Sequence, residues 1–85
     1  MMTVKKLLNA CKDRKLGNHR VRIATDMKNA VIGRAFIYHQ TTICMVDDRN
    51  KLFIVDDGGW KTQSTKRAIN AYRKELSNLG YAEVV

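Results

Sequence analysis

The sequence predicts an α+β fold in the order α-β-β-β-β-α, a four-stranded antiparallel meander sheet with two helices packed on one face. Three observations carry this. Apolar residues recur at helical spacing near both ends of the chain, they give way to β-branched and aromatic runs in between, and polar or glycine-containing turns cut the middle into short segments. A chain of 85 residues is the size of one domain, so 1–85 is read as a single unit. Its 45% hydrophobic content and lack of proline favour a packed globule over disorder or proline-rich linkers.

The first helix is expected to begin at Thr3, whose hydroxyl suits an N-cap, and to place Val4, Leu7, Leu8 and Cys11 on one face. Gly17 and Asn18 read as its left-handed stop. Lys12, Arg14 and Lys15 suit the carbonyl end of the helix dipole, which sets the end near Leu16. From His19 to Asp26 the period changes to two, with Val21 and Ile23 on one side and Arg20, Arg22 and Ala24 on the other. A turn at Asp26-Met27-Lys28-Asn29 leads to a second strand, Ala30 to His39, where Gly33 marks a bulge or a close approach. Thr41 to Val46 is the third strand and Lys51 to Val55 the fourth, joined by Asp47-Asp48-Arg49-Asn50.

Asp56-Asp57-Gly58-Gly59 closes the sheet. After Trp60 the helical period returns, with Ile69, Tyr72, Leu76 and Leu79 in one stripe. Ser64 is the expected N-cap, and Gly80 the expected Schellman stop, which folds Tyr81 back on the helix end.

Two helices cover one face of such a sheet, yet the second strand is apolar on both sides, and the fourth sends Leu52 and Ile54 one way and Phe53 and Val55 the other. The apolar face is either covered by a partner, a homodimer through the sheet or a docked protein, or simply left partly exposed as much of any folded surface is. Phe36, Tyr38, Phe53 and Trp60 are the candidate protein-interface residues.

The formal net charge is +8. Residues 1–34 carry nine basic and two acidic side chains, residues 35–60 two and four, and residues 61–85 five and two. The two basic ends can converge on folding, which points to an acidic partner, nucleic acid first. Arg20 and Arg22 project from one side of the first strand, while Lys66, Asn70 and Arg73 lie a turn apart on the second helix with Arg67 and Lys74, just after Lys61. These eight are the candidate nucleic-acid-binding residues; the ordinary alternative is a pair of solvated faces. Arg34, Phe36 and Tyr38 share one side of the second strand, which suggests a stacking platform or, more simply, core. Trp60 either anchors its loop against the last helix or makes a binding contact.

Cys11 and Cys44 are too few for a disulfide framework, lack C-x-x-C spacing, and read as buried thiols. The Asp47-Asp48 and Asp56-Asp57 pairs lack EF-hand spacing and read as turn formers, so no metal and no cofactor are expected. His19 and His39 belong to no catalytic motif, and a non-enzymatic protein is expected. The apolar runs are short and the first residues lack a secretory signal pattern, which leads to the expectation of a cytoplasmic protein without membrane contact.

The stretch from Gly59 to Asn70, Gly-Trp-Lys-Thr-Gln-Ser-Thr-Lys-Arg-Ala-Ile-Asn, resembles the G-W-x-T-x-[ST]-T-x-x-x-[IL]-N signature of small bacteriophage-encoded proteins of unassigned function. Leu52 to Gly59 resembles the β-region and acidic or glycine-containing turn that precede the Trp in that group. The likeness covers about the C-terminal half. It implies a phage protein acting in the host cytoplasm as a host-takeover or counter-defence factor, anti-CRISPR proteins among them, and it carries no catalytic residues. A second similarity, of Ser64-Thr65-Lys66-Arg67-Ala68, is to the last helix of double-stranded RNA-binding domains, but the extra strand and the lack of a Gly-Pro-x-His loop depart from that family. Together these readings lead to a small basic phage-type binding protein that engages nucleic acid or a host nucleoprotein. The alternative is a protein-directed inhibitor of a host defence or transcription machine, acting through an apolar sheet face.

Overall fold

The computed structural model describes residues 2–10 and 12–84. The chain runs α1 (Met2–Leu8), β1 (Arg14–Leu16), β2 (His19–Thr25), β3 (Val31–Tyr38), β4 (Thr41–Asp47), β5 (Leu52–Val55), α2 (Gln63–Asn78) and β6 (Ala82–Glu83). The strands form one six-stranded sheet in chain order; β1 to β5 pair antiparallel and β6 lies parallel to β5. The α+β class holds. The four-stranded antiparallel meander is corrected to a six-stranded mixed sheet, in which the expected meander, β2 to β5, gains a strand at each edge.

The edge strands account for the largest difference from expectation. The first helix stops at Leu8, with Thr3 inside it, and Gly17-Asn18 is a two-residue hairpin loop between β1 and β2. Gly17 has φ +60° and Asn18 has no positive φ, the type II′ pattern whose twist suits a hairpin. The physical reason is ladder satisfaction: residues 14–16 pair with residues 19–21, where a longer helix leaves the edge of β2 without partners. Asp13 extends the seam by accepting the Ile23 amide at 2.8 Å through Oδ1. The expectations for Cys11 lie outside the described residues.

Both helices pack on one face of the sheet. Val4, Leu7 and Leu8 of α1 and Ala68, Ile69, Tyr72 and Leu76 of α2 share a core with Val21, Phe36, Cys44, Val46 and Phe53. Phe36 and Phe53 are therefore buried beneath the helices and are not interface residues. Sequence parity left this open because β3 and β5 are apolar on both sides. A bulge in β4 also puts Ile43 and Cys44 together in the core opposite Phe36. The uncovered face instead carries the cross-strand row Arg22, Ala35, Met45 and Ile54, in which Met45 is 56% and Ile54 51% exposed.

Gly33 satisfies both readings of its position. The β2–β3 register shifts beside it, and a Cβ there would lie 3.1 Å from the Val46 carbonyl oxygen. The N-cap of α2 is Thr62 rather than Ser64, its Oγ1 accepting the Thr65 amide at 3.3 Å. At the other end the Tyr81 amide bonds Leu76 O and the Gly80 amide bonds Ser77 O, with Gly80 at φ +91°, which is the expected Schellman stop.

Candidate anion-binding cleft

Three turns meet at one end of the sheet. The β1–β2 and β3–β4 hairpins are joined there by a bond from the His39 amide to Asn18 O at 2.7 Å. The β5–α2 loop is held by its own carboxylates: Asp56 Oδ1 accepts the Gly58 amide at 3.0 Å and Asp57 Oδ1 the Gly59 amide at 2.8 Å. Gly58 sits at φ +61°, and a Cβ there would meet Thr41 Cγ2 at 2.5 Å, so this close approach of loop to strand needs glycine. The Trp60 amide then donates to Asp57 O at 2.9 Å, which delivers the indole to the surface immediately before α2.

Between these turns lies a cleft of about 600 Å³ whose lining includes Lys15, Arg20, Tyr38, His39, Trp60 and Ser64. A second cleft shares Tyr38 and Ser64 and extends to His19 and Arg67. Among the described residues no Asp or Glu lines either one. The carboxylates are engaged elsewhere: Asp26 and Asp47 hold turns, and their oxygens' hydrogen bonds to backbone or Asn50 donors keep both acids below the usual range. Asp48 pairs with Arg34, and Glu83 with Arg73.

The start of α2 adds a positive dipole end to the same place. Its first intrahelical bond runs from the Lys66 amide to Thr62 O at 3.1 Å, so the amides of Gln63 and Ser64 precede the ladder. Arg20 also lines the cleft, and its Nε is buried without a hydrogen-bond partner among the described residues. Tyr38 packs between two imidazoles, 4.7 Å from the His19 ring and 4.4 Å from that of His39. Burial first, and then the nearby His39, lowers the His19 pKa below its ordinary 6.5.

Of the residues singled out from sequence, Arg20 and Trp60 line the first cleft and Arg67 the second, with Trp60 62% exposed. Trp60 is therefore not packed away as a loop anchor. Lys61 and Lys66 are exposed beside this end, Lys74 is exposed farther along α2, and Arg22 stands on the open sheet face. The expected Lys66-Asn70-Arg73 phosphate stripe is corrected: Arg73 Nε and Nη2 bond Glu83 at 2.7 and 3.1 Å, and its Nη1 bonds Asn70 Oδ1 at 3.1 Å. The strand platform is corrected too, because Phe36 is core and Arg34 is buried in an ion pair, leaving Tyr38 to the cleft.

Sequence reasoning missed Lys15 and His39. The signal for Lys15 lay in Gly17-Asn18: read as a hairpin, that pair sets Lys15 opposite Arg20, as the register has it. Cys44 is buried and pushed up to about 12 by desolvation, a thiol that stays protonated in the core. No family model matches the chain, and comparison with curated proteins and with solved structures returns no match.

Proposed function

We propose that this chain is a small non-enzymatic binding protein, of the phage type that residues 59–70 resemble, which engages nucleic acid or a nucleoprotein through phosphates seated in the cleft. One observation carries the reading: cations from distant parts of the chain, Lys15, Arg20 and Arg67, line adjoining concave surfaces free of carboxylates among the described residues. Such a surface lowers the electrostatic energy of a polyanion placed on it and gains from release of its counterions. The amides at the start of α2 offer further donors to phosphate oxygens.

The test is binding of a mixed-sequence oligonucleotide across a salt series. Affinity is expected to fall steeply as salt rises, and Lys15→Ala, Arg20→Ala and Arg67→Ala are each expected to flatten the log–log slope by about one unit. Absence of binding at low salt, or a slope indifferent to all three changes, sinks the reading.

A second reading rests on the open sheet face, where Met45 and Ile54 are neighbours across β4 and β5 and half exposed. There the protein acts as an inhibitor of a host defence or transcription machine by docking on that face. Met45→Ser with Ile54→Ser then abolishes activity against the target while the salt slope on nucleic acid stays unchanged.

A further inference from the structure

We infer that the cleft is a site for single-stranded nucleic acid, in which one unpaired nucleotide seats its base against Trp60 while its phosphate reaches Lys15 and Arg20. The inference rests on the nucleic-acid reading above and names its substrate class.

Shape is the first argument. A duplex offers its phosphates on a convex surface and hides its base faces in the stack, so duplex readers push a helix or a β-ribbon outward into a groove. Here the cations line a hollow of about 600 Å³, within the range of small-ligand pockets and fit for a nucleotide-sized group. A flexible single strand can lower one unstacked nucleotide into it; a stacked base pair cannot enter.

The second argument is the indole. Trp60 is 62% exposed, yet it stands on a loop fixed by two Asx turns and by the close contact of Gly58 with Thr41. A large aromatic group carried into water on a fixed turn, beside cations, supplies a π-face on which any base stacks. The Tyr38–His39 ring pair forms another aromatic part of the cleft lining. Aromatic faces alternating with backbone-directed cations are what sequence-tolerant single-strand binding requires.

Trp60 is the chain's one tryptophan, so intrinsic fluorescence reports on this site directly. The full chain is titrated with a short oligothymidylate, with an abasic strand of equal length and with a duplex of equal length, all at low salt. The thymidylate is expected to bind and quench the indole. The abasic strand is expected to bind about 5- to 150-fold more weakly, the loss of one base–aromatic stack, and to leave the emission unchanged. The duplex is expected to be at least about tenfold weaker than the thymidylate. Trp60→Leu should lose the single-strand preference and Trp60→Phe should keep most of it, with circular dichroism unchanged in both. Equal binding of thymidylate and abasic strand, or duplex binding as tight as the single strand, overturns this inference and leaves phosphate binding standing. No binding by any of the three overturns both.

Discussion

Arg34 and Asp48 form a two-point ion pair, Nε to Oδ2 at 3.0 Å and Nη2 to Oδ1 at 2.8 Å, with side chains only 8% and 12% exposed. The same guanidinium donates Nη1 to Leu8 O at 2.6 Å, and the Tyr81 hydroxyl donates to Asp48 Oδ1 at 2.7 Å. One buried pair thus ties the end of α1, strand β3, the β4–β5 turn and the segment after α2. Asp48→Ala leaves the guanidinium buried without its counter-charge and is expected to destabilise the fold by about 3–5 kcal/mol. Arg34→Lys is expected to rescue little, since an ammonium cannot reproduce the fork that meets Asp48 and Leu8 together. Urea unfolding of the two variants measures both.

Arg73 and Glu83 make a pair of similar geometry in a wetter place, with Arg73 43% exposed. Solvent screening limits such a pair, so Arg73→Ala is expected to cost about 1 kcal/mol or less in a denaturation curve. Because its charge is already matched by Glu83, the same variant is expected to leave the salt slope of nucleic-acid binding nearly unchanged, in contrast to Arg20→Ala. A drop in slope as large as that of Arg20→Ala would restore Arg73 to the phosphate contact.

The difference between these arginines marks where the sequence was legible. Ile69, Tyr72 and Leu76 announce α2 because its burial follows one period, and Gly80 announces its end because a left-handed stop favours glycine. The strands β2 to β5 are legible for the same reason. What periodicity cannot tell is which face of a doubly apolar strand meets the helices, so Phe36 and Phe53 read equally as core or as surface. Nor can it find β1 or β6, three and two residues long, whose conformation is set by pairing with a neighbour. That is why residues 12–16, four of them charged, look helical and why the sequence does not point to Lys15.

His19 gives the protein a pH dependence in a defined window. Buried against Tyr38 and with Nδ1 3.5 Å from the Tyr72 hydroxyl, it has a folded pKa below its ordinary 6.5. The unfolded chain therefore takes up a proton before the folded one. Stability is expected to decline as pH falls from about 7 through 6.5 and to level off below the folded pKa, by about 1.4 kcal/mol for each unit of lowering. Asp26 and Asp47, whose folded pKa values are depressed, lose their contributions only as pH falls below 3.8, outside this window. Urea unfolding at pH 7 and pH 5 should show the decline, and His19→Phe should flatten it; an equal decline in that variant assigns the effect to another group.

Thr62 and Ser64 compete for the start of α2, and the structure separates them. Thr62 is extended at φ −84° and ψ 158°, accepts the Thr65 amide through Oγ1, and donates that hydroxyl to Thr65 Oγ1 at 3.0 Å. Ser64 lies inside the first turn, where its hydroxyl caps no amide. Thr62→Ala is accordingly expected to cost about 1 kcal/mol and Ser64→Ala only a few tenths. The cap also fixes where the helix begins relative to Trp60 and the cleft, so Thr62→Ala should weaken oligonucleotide binding beyond its effect on folding, whereas Thr62→Ser should preserve both. Thermal unfolding and the Trp60 quench, measured on the three variants together, separate a frayed first turn from a lost contact: fraying lowers the midpoint and the quench in Thr62→Ala alone, while a direct hydroxyl contact from Ser64 lowers the quench in Ser64→Ala without moving its midpoint.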